Sequence, residues 1–328
     1  MYRLIFIMIL LGLSFQGIAN YRDSLFVPQI EGTIRAKYEY APEVKEHRFQ
    51  IRNARFSVNG KLSRITSYKA EIDLSDEGVT KMLDAYVRIK VFKNLNFTAG
   101  QQKVPFSTDN LRSPHQLYFA NRSFIGKQLT GLRDVGFTTE YNVCKKMDIS
   151  FGIYNGTGLY NQKQWRSADE LSFVARTVIS PVENLRISLN FNSIKPTDLR
   201  MNLFDAGIML DLKNWHFESE YFYKTYYDTL TDATHGFFGF VDFDIKTPSL
   251  GSIKKISPLI RYDMMTENIR FDDSGILKKD HNNKRITGGL TLSLEKPFLN
   301  DIRINYEQYF NEINIPDNKL VVEFIARF

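Results

Sequence analysis

The sequence predicts an all-β protein, a transmembrane antiparallel β-barrel of sixteen strands with short periplasmic turns and long extracellular loops. Three observations predict this class. Apolar and polar residues alternate with a period of two over most of the chain. The connectors between the alternating segments are short and long in turn. Mean hydropathy is only −0.30, and no segment after the amino terminus approaches the ~18 apolar residues of a membrane helix.

The amino terminus predicts a secretory signal peptide over residues 1–19. Arg3 precedes an apolar run at 4–13, and the small residues Gly17 and Ala19 come before the expected cleavage point. The alternative is a membrane anchor, but the run is shorter than the ~20 residues of a spanning helix. Residues 20–328 are therefore expected to form the barrel.

The alternation is clear enough to assign strands in order along the chain. At 187–192, for example, Ile187, Leu189 and Phe191 alternate with Ser188, Asn190 and Asn192. The predicted strands are 28–40, 48–60, 65–75, 80–92, 95–103, 134–143, 147–155, 170–180, 184–195, 203–212, 215–227, 235–246, 256–267, 284–295, 299–310 and 319–328. Their number is even, so both ends of the barrel chain are expected on the same side of the membrane.

The connectors support the same plan. The short ones are 61–64, 93–94, 144–146, 181–184 and 213–214, and the long ones are 104–133, 156–169, 228–234, 268–283 and 311–318. Two connectors depart from the alternation, since 247–255 is long and 76–79 is short. Because every backbone N–H and C=O at membrane depth needs a partner within the protein, the sheet is expected to close. Its apolar face would then contact lipid and its polar face would enclose water.

Aromatic residues near the strand ends are expected at the level of the lipid headgroups. They include Tyr38, Tyr40, Trp215, Tyr221, Tyr223, Tyr226, Phe324 and Phe328. The last of them ends the final strand, and a carboxyl-terminal strand that finishes in an aromatic residue resembles the signal read by the outer-membrane insertion machinery.

Composition argues against several other classes of protein. The 43 Lys and Arg residues only slightly exceed the 37 Asp and Glu residues, and no basic helix or zinc-ligand spacing predicts a nucleic-acid partner. The single cysteine, Cys144, excludes an intramolecular disulfide. Five scattered histidines form no HExxH motif and no GxSxG motif is present, so neither an enzyme nor a cofactor is expected. A hydrolase site assembled from several strands stays an alternative.

Three strings carry a resemblance to a known family: "RFQIRNARFSVNGKLS", "MLDAYVRIKVFKNLNFTAGQQKVPFSTDNL" and "LRDVGFTTEYN". They resemble the phosphate-selective porin O and P family of Gram-negative outer membranes, most specifically at Gly100–Ser107. The resemblance implies a sixteen-stranded outer-membrane barrel, a homotrimer, and passage of small anions or other small solutes. Asn53 is a departure, since family members often have a second arginine there.

The long connector 104–133 is the predicted constriction. Pro105 ends the preceding strand because it has no N–H to donate, and the loop that follows is expected to bend into the bore. Its cations, together with arginines at the inward-facing positions of the strands, predict a path for anions. These residues are Lys103, Arg112, Arg122, Lys127, Arg133, Arg35, Arg88, Arg176 and Arg186. The alternative is that the loop cations pair with acids on the wall and only hold the loop in place.

The sequence therefore predicts a porin, a water-filled channel for passive diffusion of small hydrophilic solutes with a phosphate-like anion preference. Its expected partners are these solutes, outer-membrane lipid and two further copies of the chain. The alternative is a nonconducting outer-membrane barrel that acts as a surface adhesin or binding platform.

Overall fold

The computed structural model describes residues 26–76, 79–130, 133–159, 162–196, 198–227, 231–248, 250–271, 277–295, 297, 299–311 and 317–328. The predicted signal peptide, 1–19, lies outside the described residues. Within them, no helix has the length and apolar character needed to cross a membrane.

The regular secondary structure of the described residues is almost entirely strand. The strands are β1 (Gln29–Ala41), β2 (Glu46–Lys61), β3 (Thr66–Asp76), β4 (Val79–Phe92), β5 (Leu95–Lys103), β6 (Arg133–Cys144), β7 (Met147–Tyr154), β8 (Ser172–Val182), β9 (Leu185–Ile194), β10 (Met201–Leu212), β11 (Trp215–Tyr226), β12 (Thr234–Phe243), β13 (Ile245–Lys246), β14 (Ile253–Met265), β15 (Asn268–Phe271), β16 (Leu277–Asp280), β17 (Asn283–Leu294), β18 (Leu299–Asn311) and β19 (Lys319–Arg327).

Sixteen long strands form one closed antiparallel barrel, as predicted. Each pairs with the next along the chain, and β1 pairs with β19 from Thr33↔Arg327 to Tyr40↔Leu320, which closes the sheet. The two-residue β13 continues the pairing with β14 after a break at Asp244. The strands β15 and β16 form a separate hairpin in the connector between β14 and β17, which the alternation pattern did not predict.

The inward and outward faces are those that the alternation predicts. Ile34 is 41% exposed and Leu189 is 51% exposed on the outside of the barrel, while Arg35 is only 4% exposed on the inside. Apolar side chains therefore cover the lipid-facing surface, and polar side chains cover most of the lumen wall, apart from an apolar patch at β11 and β12. The predicted headgroup position of Tyr226 is wrong, since its side chain is 8% exposed and its hydroxyl forms a hydrogen bond with Thr234. It lies an odd number of residues from the outward-facing Tyr221, so it points into the lumen rather than toward the headgroups.

The main apolar cluster of the described residues lies inside the barrel. It forms between the connector that follows β5 and the inner wall at β11 and β12. The connector contributes Val104, Phe106, Phe119, Phe124, Ile125 and Leu129, and the wall contributes Phe222, Phe238 and Phe240 among others. The connector is therefore packed against one side of the lumen, and its residues 104–130 are called the inner loop below.

Candidate functional site

The inner loop turns into the lumen immediately after β5. It contains a helix, α1 (Thr108–Leu111), a 3-10 turn (Pro114–Gln116) and a π-helical turn (Ile125–Leu129). The first turn of α1 is held by Glu220 of β11, whose carboxylate accepts the N–H groups of Thr108 at 2.8 Å and Asp109 at 3.2 Å. A carboxylate at a helix amino terminus satisfies N–H groups that have no partner within the helix. This contact holds the loop across the lumen, between β5 and β11.

A second contact with β11 follows α1. The guanidinium of Arg112 binds both carboxylate oxygens of Glu218, one of them at 2.7 Å, and the Glu218 side chain is only 1% exposed. The ring of Tyr118 stacks on His216 with centroids 4.7 Å apart. A buried bidentate Arg–carboxylate pair is geometrically specific. The loop is therefore fixed to β11 on both sides of its 3-10 turn.

The opposite part of the wall holds the loop through its backbone carbonyls. Arg285 donates to the carbonyl oxygen of Arg122 at 2.8 Å, and Arg35 donates to that of Ala120 at 2.7 Å. Arg261 and Arg303 make longer contacts of the same kind, to Arg122 at 3.3 Å and to His115 at 3.3 Å. These wall arginines supply donors that the irregular loop backbone would otherwise lack inside the barrel.

Two cations stabilise the loop itself, one at the end of β5 and one within the loop. Lys103 Nζ donates to the carbonyl oxygens of Asn110 at 3.2 Å, Leu111 at 2.8 Å and Arg112 at 2.7 Å, at the carboxyl end of α1. A cation there binds carbonyls that have no helical partner. Arg122 donates to the backbone carbonyls of Asp109 and Arg112. Burial would raise the pKa of the Asp109 carboxyl, but the nearby Arg122 and Arg112 charges hold that pKa below its ordinary value.

The inner loop leaves space beside β2, β3 and β4. A cavity of about 310 Å³ lies there, between those strands and the 3-10 turn of the loop. It is lined by Glu31, Thr33, Arg55, Ser57, Asn59, Lys69, Glu71, Tyr86, Ser113, Pro114, His115, Gln116 and Arg327. Almost every lining side chain is polar, so this part of the lumen can hold water and dissolved solutes.

Six of the nine predicted path residues are tied to specific partners. They are Lys103, Arg112, Arg122, Arg133, Arg35 and Arg176. Arg133 Nε donates to Asp84 at 2.6 Å, and Arg176 donates to Asn190 at 2.6 Å and to Thr108 at 3.2 Å. For these residues the contacts match the alternative in which cations hold the loop and wall together.

The other three predicted residues are accessible to water. Lys127 and Arg186 are exposed, and among the described residues neither side chain makes a hydrogen bond or ion pair. The Arg88 side chain is 38% exposed and lies 3.3 Å from Glu140. Arg88 and Arg186 lie near the periplasmic ends of β4 and β9, and Lys127 lies in the inner loop. The structure therefore spreads these cations along the lumen instead of gathering them at one level.

Arg55 and Arg285 are among the wall arginines at the loop and cavity that the predicted path does not include. Arg55 lines the cavity, and Arg285 holds the inner loop. Strand parity could have found both, since Arg55 shares a face with Ser57 and Arg285 shares one with Thr287. Their three-dimensional partners, however, lie on other strands and could not be identified from spacing.

The described part of the chain has no group of three or more His, Cys, Asp or Glu side chains arranged to hold a metal ion. The one cysteine, Cys144, is exposed at the end of β6.

Comparison with known proteins agrees with this architecture. Residues 29–186 match the family model described as phosphate-selective porin O and P. No curated protein sequence matches the chain closely enough to count as a relative.

Solved structures of outer-membrane proteins have a similar fold. An anion-selective porin from Comamonas acidovorans has a TM-score of 0.65 at 9% identity, covering 92% of this chain and 98% of that one. The outer membrane protein OmpT of Vibrio cholerae, in its trimer form, has a TM-score of 0.63 at 10% identity over 92% and 98% of the two chains. The outer membrane channel DcaP of Acinetobacter baumannii has a TM-score of 0.60 at 11% identity over 95% and 100%.

Proposed function

Because the chain belongs, through residues 29–186, to the phosphate-selective porin O and P family, we propose that it forms a water-filled channel for small hydrophilic solutes with a preference for anions. The protein lies in the outer membrane of a Gram-negative bacterium. The observation that carries the proposal is a closed barrel with a polar inner face and a polar cavity of about 310 Å³ beside its inner loop. Such a lumen transports passively and needs neither a cofactor nor a catalytic residue.

The proposed anion preference rests on accessible charge. Lys127, Arg88 and Arg186 reach water in the lumen, whereas Asp263 and Glu323 of the inner face are engaged by buried arginines. Accessible positive charge along a narrow bore lowers the electrostatic barrier for anions and raises that for cations. The family name and the anion selectivity of the Comamonas acidovorans porin support the same preference.

The inner loop is the proposed constriction, since it occupies the lumen from β5 across to β11 and back along β17 to β1. In this proposal Lys103, Arg112 and Arg122 set the position of the loop, Arg133 is held on the wall by Asp84, and the accessible cations act on ions. A homotrimer is the proposed assembly, as in the trimer form of Vibrio cholerae OmpT.

Reconstitution in a planar bilayer tests the channel. We expect stepwise conductance, with a reversal potential in a KCl gradient that favours chloride. A nonconducting barrel that serves as a surface adhesin would give no conductance steps, and that result would reject the proposal.

A charge-matched pair of variants tests the anion preference. Combining Lys127→Gln, Arg88→Gln and Arg186→Gln should move the reversal potential toward potassium, because the accessible lumen cations are lost. Lys93→Gln, Lys145→Gln and Lys163→Gln together remove the same charge from exposed connectors and should leave the potential nearly unchanged. Equal shifts in the two triple variants would show that the proposed cations have no special role.

A further inference from the structure

The wall of the cavity contains a row of two arginines. Arg327 of β19 and Arg55 of β2 are both paired with Thr33 of β1, one on each side of it. Since neighbouring strands lie about 4.8 Å apart, the small Thr33 separates two arginines whose backbones are about 10 Å apart. The Arg327 side chain is 34% exposed and that of Arg55 is 18% exposed. This row therefore presents positive charge to the cavity.

A row of two glutamates lies beside the arginine row. Glu31 of β1 and Glu71 of β3 are both paired with Ser57 of β2, again one on each side. On β1, Glu31 lies two residues before Thr33, about 7 Å nearer the periplasmic end. The side chains of Glu31 and Glu71 are 40% and 12% exposed. This row presents negative charge to the same cavity.

Ion pairs join the two rows. Arg327 lies 2.8 Å from Glu31, Arg55 lies 3.5 Å from Glu71, and Lys69 lies 2.6 Å from Glu71. The fixed charge of the cavity is therefore nearly balanced. A simple anion that approaches either arginine also meets a glutamate, which repels it. A solute with both charges can instead place each end against a group of opposite sign.

The inner loop covers this wall without adding charge. His115 of the 3-10 turn accepts a hydrogen bond from Arg327 at 2.6 Å through Nε2. Burial, and then the charge of Arg327, lower the pKa of His115 to about 4, so its ring is neutral at neutral pH. Ser113 and Gln116 add hydroxyl and amide groups beside it. The cavity thus has a charged wall and a neutral polar cover.

From this arrangement we propose that the cavity binds small zwitterionic solutes of the α-amino acid class. The solute carboxylate binds between Arg327 and Arg55, and its ammonium group binds at Glu31 or Glu71. The volume of about 310 Å³ is near the lower end of the ~300–1,000 Å³ of ligand pockets, which suits a molecule of this size. This inference rests on the proposed function, because the solute reaches the cavity through an open lumen.

Single-channel recording with matched probes tests the inference. L-Alanine carries both charges, whereas lactamide has a similar size and no charge. We expect L-alanine to reduce the ion current saturably, with a half-blocking concentration about fivefold below that of lactamide, which corresponds to about 1 kcal/mol. Equal half-blocking concentrations would overturn the inference, and so would stronger block by propionate than by L-alanine.

Two variants identify the residues responsible. Glu31→Gln with Arg327→Gln removes one acid and one base without changing net charge, and should raise the half-blocking concentration of L-alanine to that of lactamide. Arg55→Gln with Glu71→Gln serves the same purpose if the first pair fails to fold. Lys254→Gln with Glu295→Gln removes an exposed pair, 3.8 Å apart, that does not line the cavity, and should leave the block unchanged.

The two proposals fail in different ways. A reconstituted protein that passes no current would reject the channel itself. A protein that conducts but does not distinguish L-alanine from lactamide would keep the channel and reject the zwitterion site.

Discussion

At the scale of single residues, the inner wall is held together by alternating bases and acids that span five strands. Glu323 accepts hydrogen bonds from Arg35 at 2.9 Å and from Arg303 at 2.9 Å. Arg35 also donates to Asn53 at 3.0 Å, and Asn53 donates to Asp73 at 2.8 Å. Asn53 therefore has a defined role here, since its amide accepts from one charged neighbour and donates to the other. A second arginine at this position could not accept the Arg35 hydrogen bond.

Glu323 is the most sensitive position of this network, because its side chain is 0% exposed between two arginines. Glu323→Gln keeps the size of the side chain but leaves two buried guanidinium groups without their counter-charge. We expect the free energy of unfolding to fall by about 3 kcal/mol, the usual scale for breaking a buried ion pair. Equilibrium urea unfolding of the folded barrel in detergent would measure this loss.

The matched control is Glu295→Gln. Glu295 pairs with Lys254 at 3.8 Å, and its side chain is 64% exposed. Exposed pairs contribute about 0–1 kcal/mol, so this variant should be close to the wild type. If both substitutions cost the same, the buried network would not be the cause.

At the scale of elements, the inner loop packs tightly against the wall of the barrel. Gly236 of β12 lies behind the loop's π-helical turn. A Cβ added at Gly236 would come within 2.3 Å of Leu129 Cδ1 and 3.3 Å of Ile125 Cγ1. The absence of a side chain at this position therefore lets the loop lie against the wall and leaves the lumen beside β2–β4 open.

Gly236→Val should push the inner loop away from β12 and toward the open side of the lumen. We expect a lower single-channel conductance together with a destabilisation of about 1–3 kcal/mol from overpacking. The control is Gly288→Val on the outer face of β17, where an added Cβ meets nothing within 4 Å. An unchanged conductance in Gly236→Val would show that the position of the loop does not limit the current.

At the scale of the whole molecule, closure between β1 and β19 satisfies the backbone of the sheet. The two strands share a continuous register from Thr33↔Arg327 to Tyr40↔Leu320. Phe328 extends the seam, since its N–H and C=O pair with those of Gly32 at 3.1 and 2.8 Å. Without closure, the edges of β1 and β19 would present unpaired backbone groups to lipid, at several kcal/mol for each group.

Deletion of residues 319–328 should therefore abolish the folded barrel instead of weakening it gradually. The measurement is electrophoresis in SDS with and without heating, since a folded barrel migrates differently from the unfolded chain. Phe324→Leu, which keeps an apolar side chain at an outward position 56% exposed, should retain the heat-dependent shift. A heat-dependent shift in the deletion variant would contradict the role of closure.

Much of the barrel could be predicted because the alternation of apolar and polar residues within each strand identifies that strand without reference to the others. β9 shows this well, since Ser188 and Asn190 are buried while Leu189 is 51% exposed, as the two-residue period requires. Tyr226 shows the limit of such predictions. An aromatic residue near a strand end suggested a position at the lipid headgroups, whereas the two-residue alternation of the strand places Tyr226 on the inward face. The hairpin of β15 and β16 was missed because four-residue strands within a long connector have too few alternations to recognise.

The site was less predictable for a physical reason. A lysine or arginine on an inward face shows only that its side chain enters the lumen, whereas its availability to a solute depends on neighbours from other strands. Arg112 is held by Glu218, 106 residues away, and Arg35 by Glu323, 288 residues away. Arg186 shares the same inward parity and stays exposed.

The amino-acid sequence by itself determined the sixteen strands, their order and the side of each that meets lipid, because a period of two and a need for paired backbone are local properties of the chain. Only the tertiary structure decided which lumen charges are engaged and which stay accessible. It also decided that acidic and basic rows meet in one cavity. Ion pairing depends on distances between strands far apart in the sequence, and these exist only after the barrel has closed.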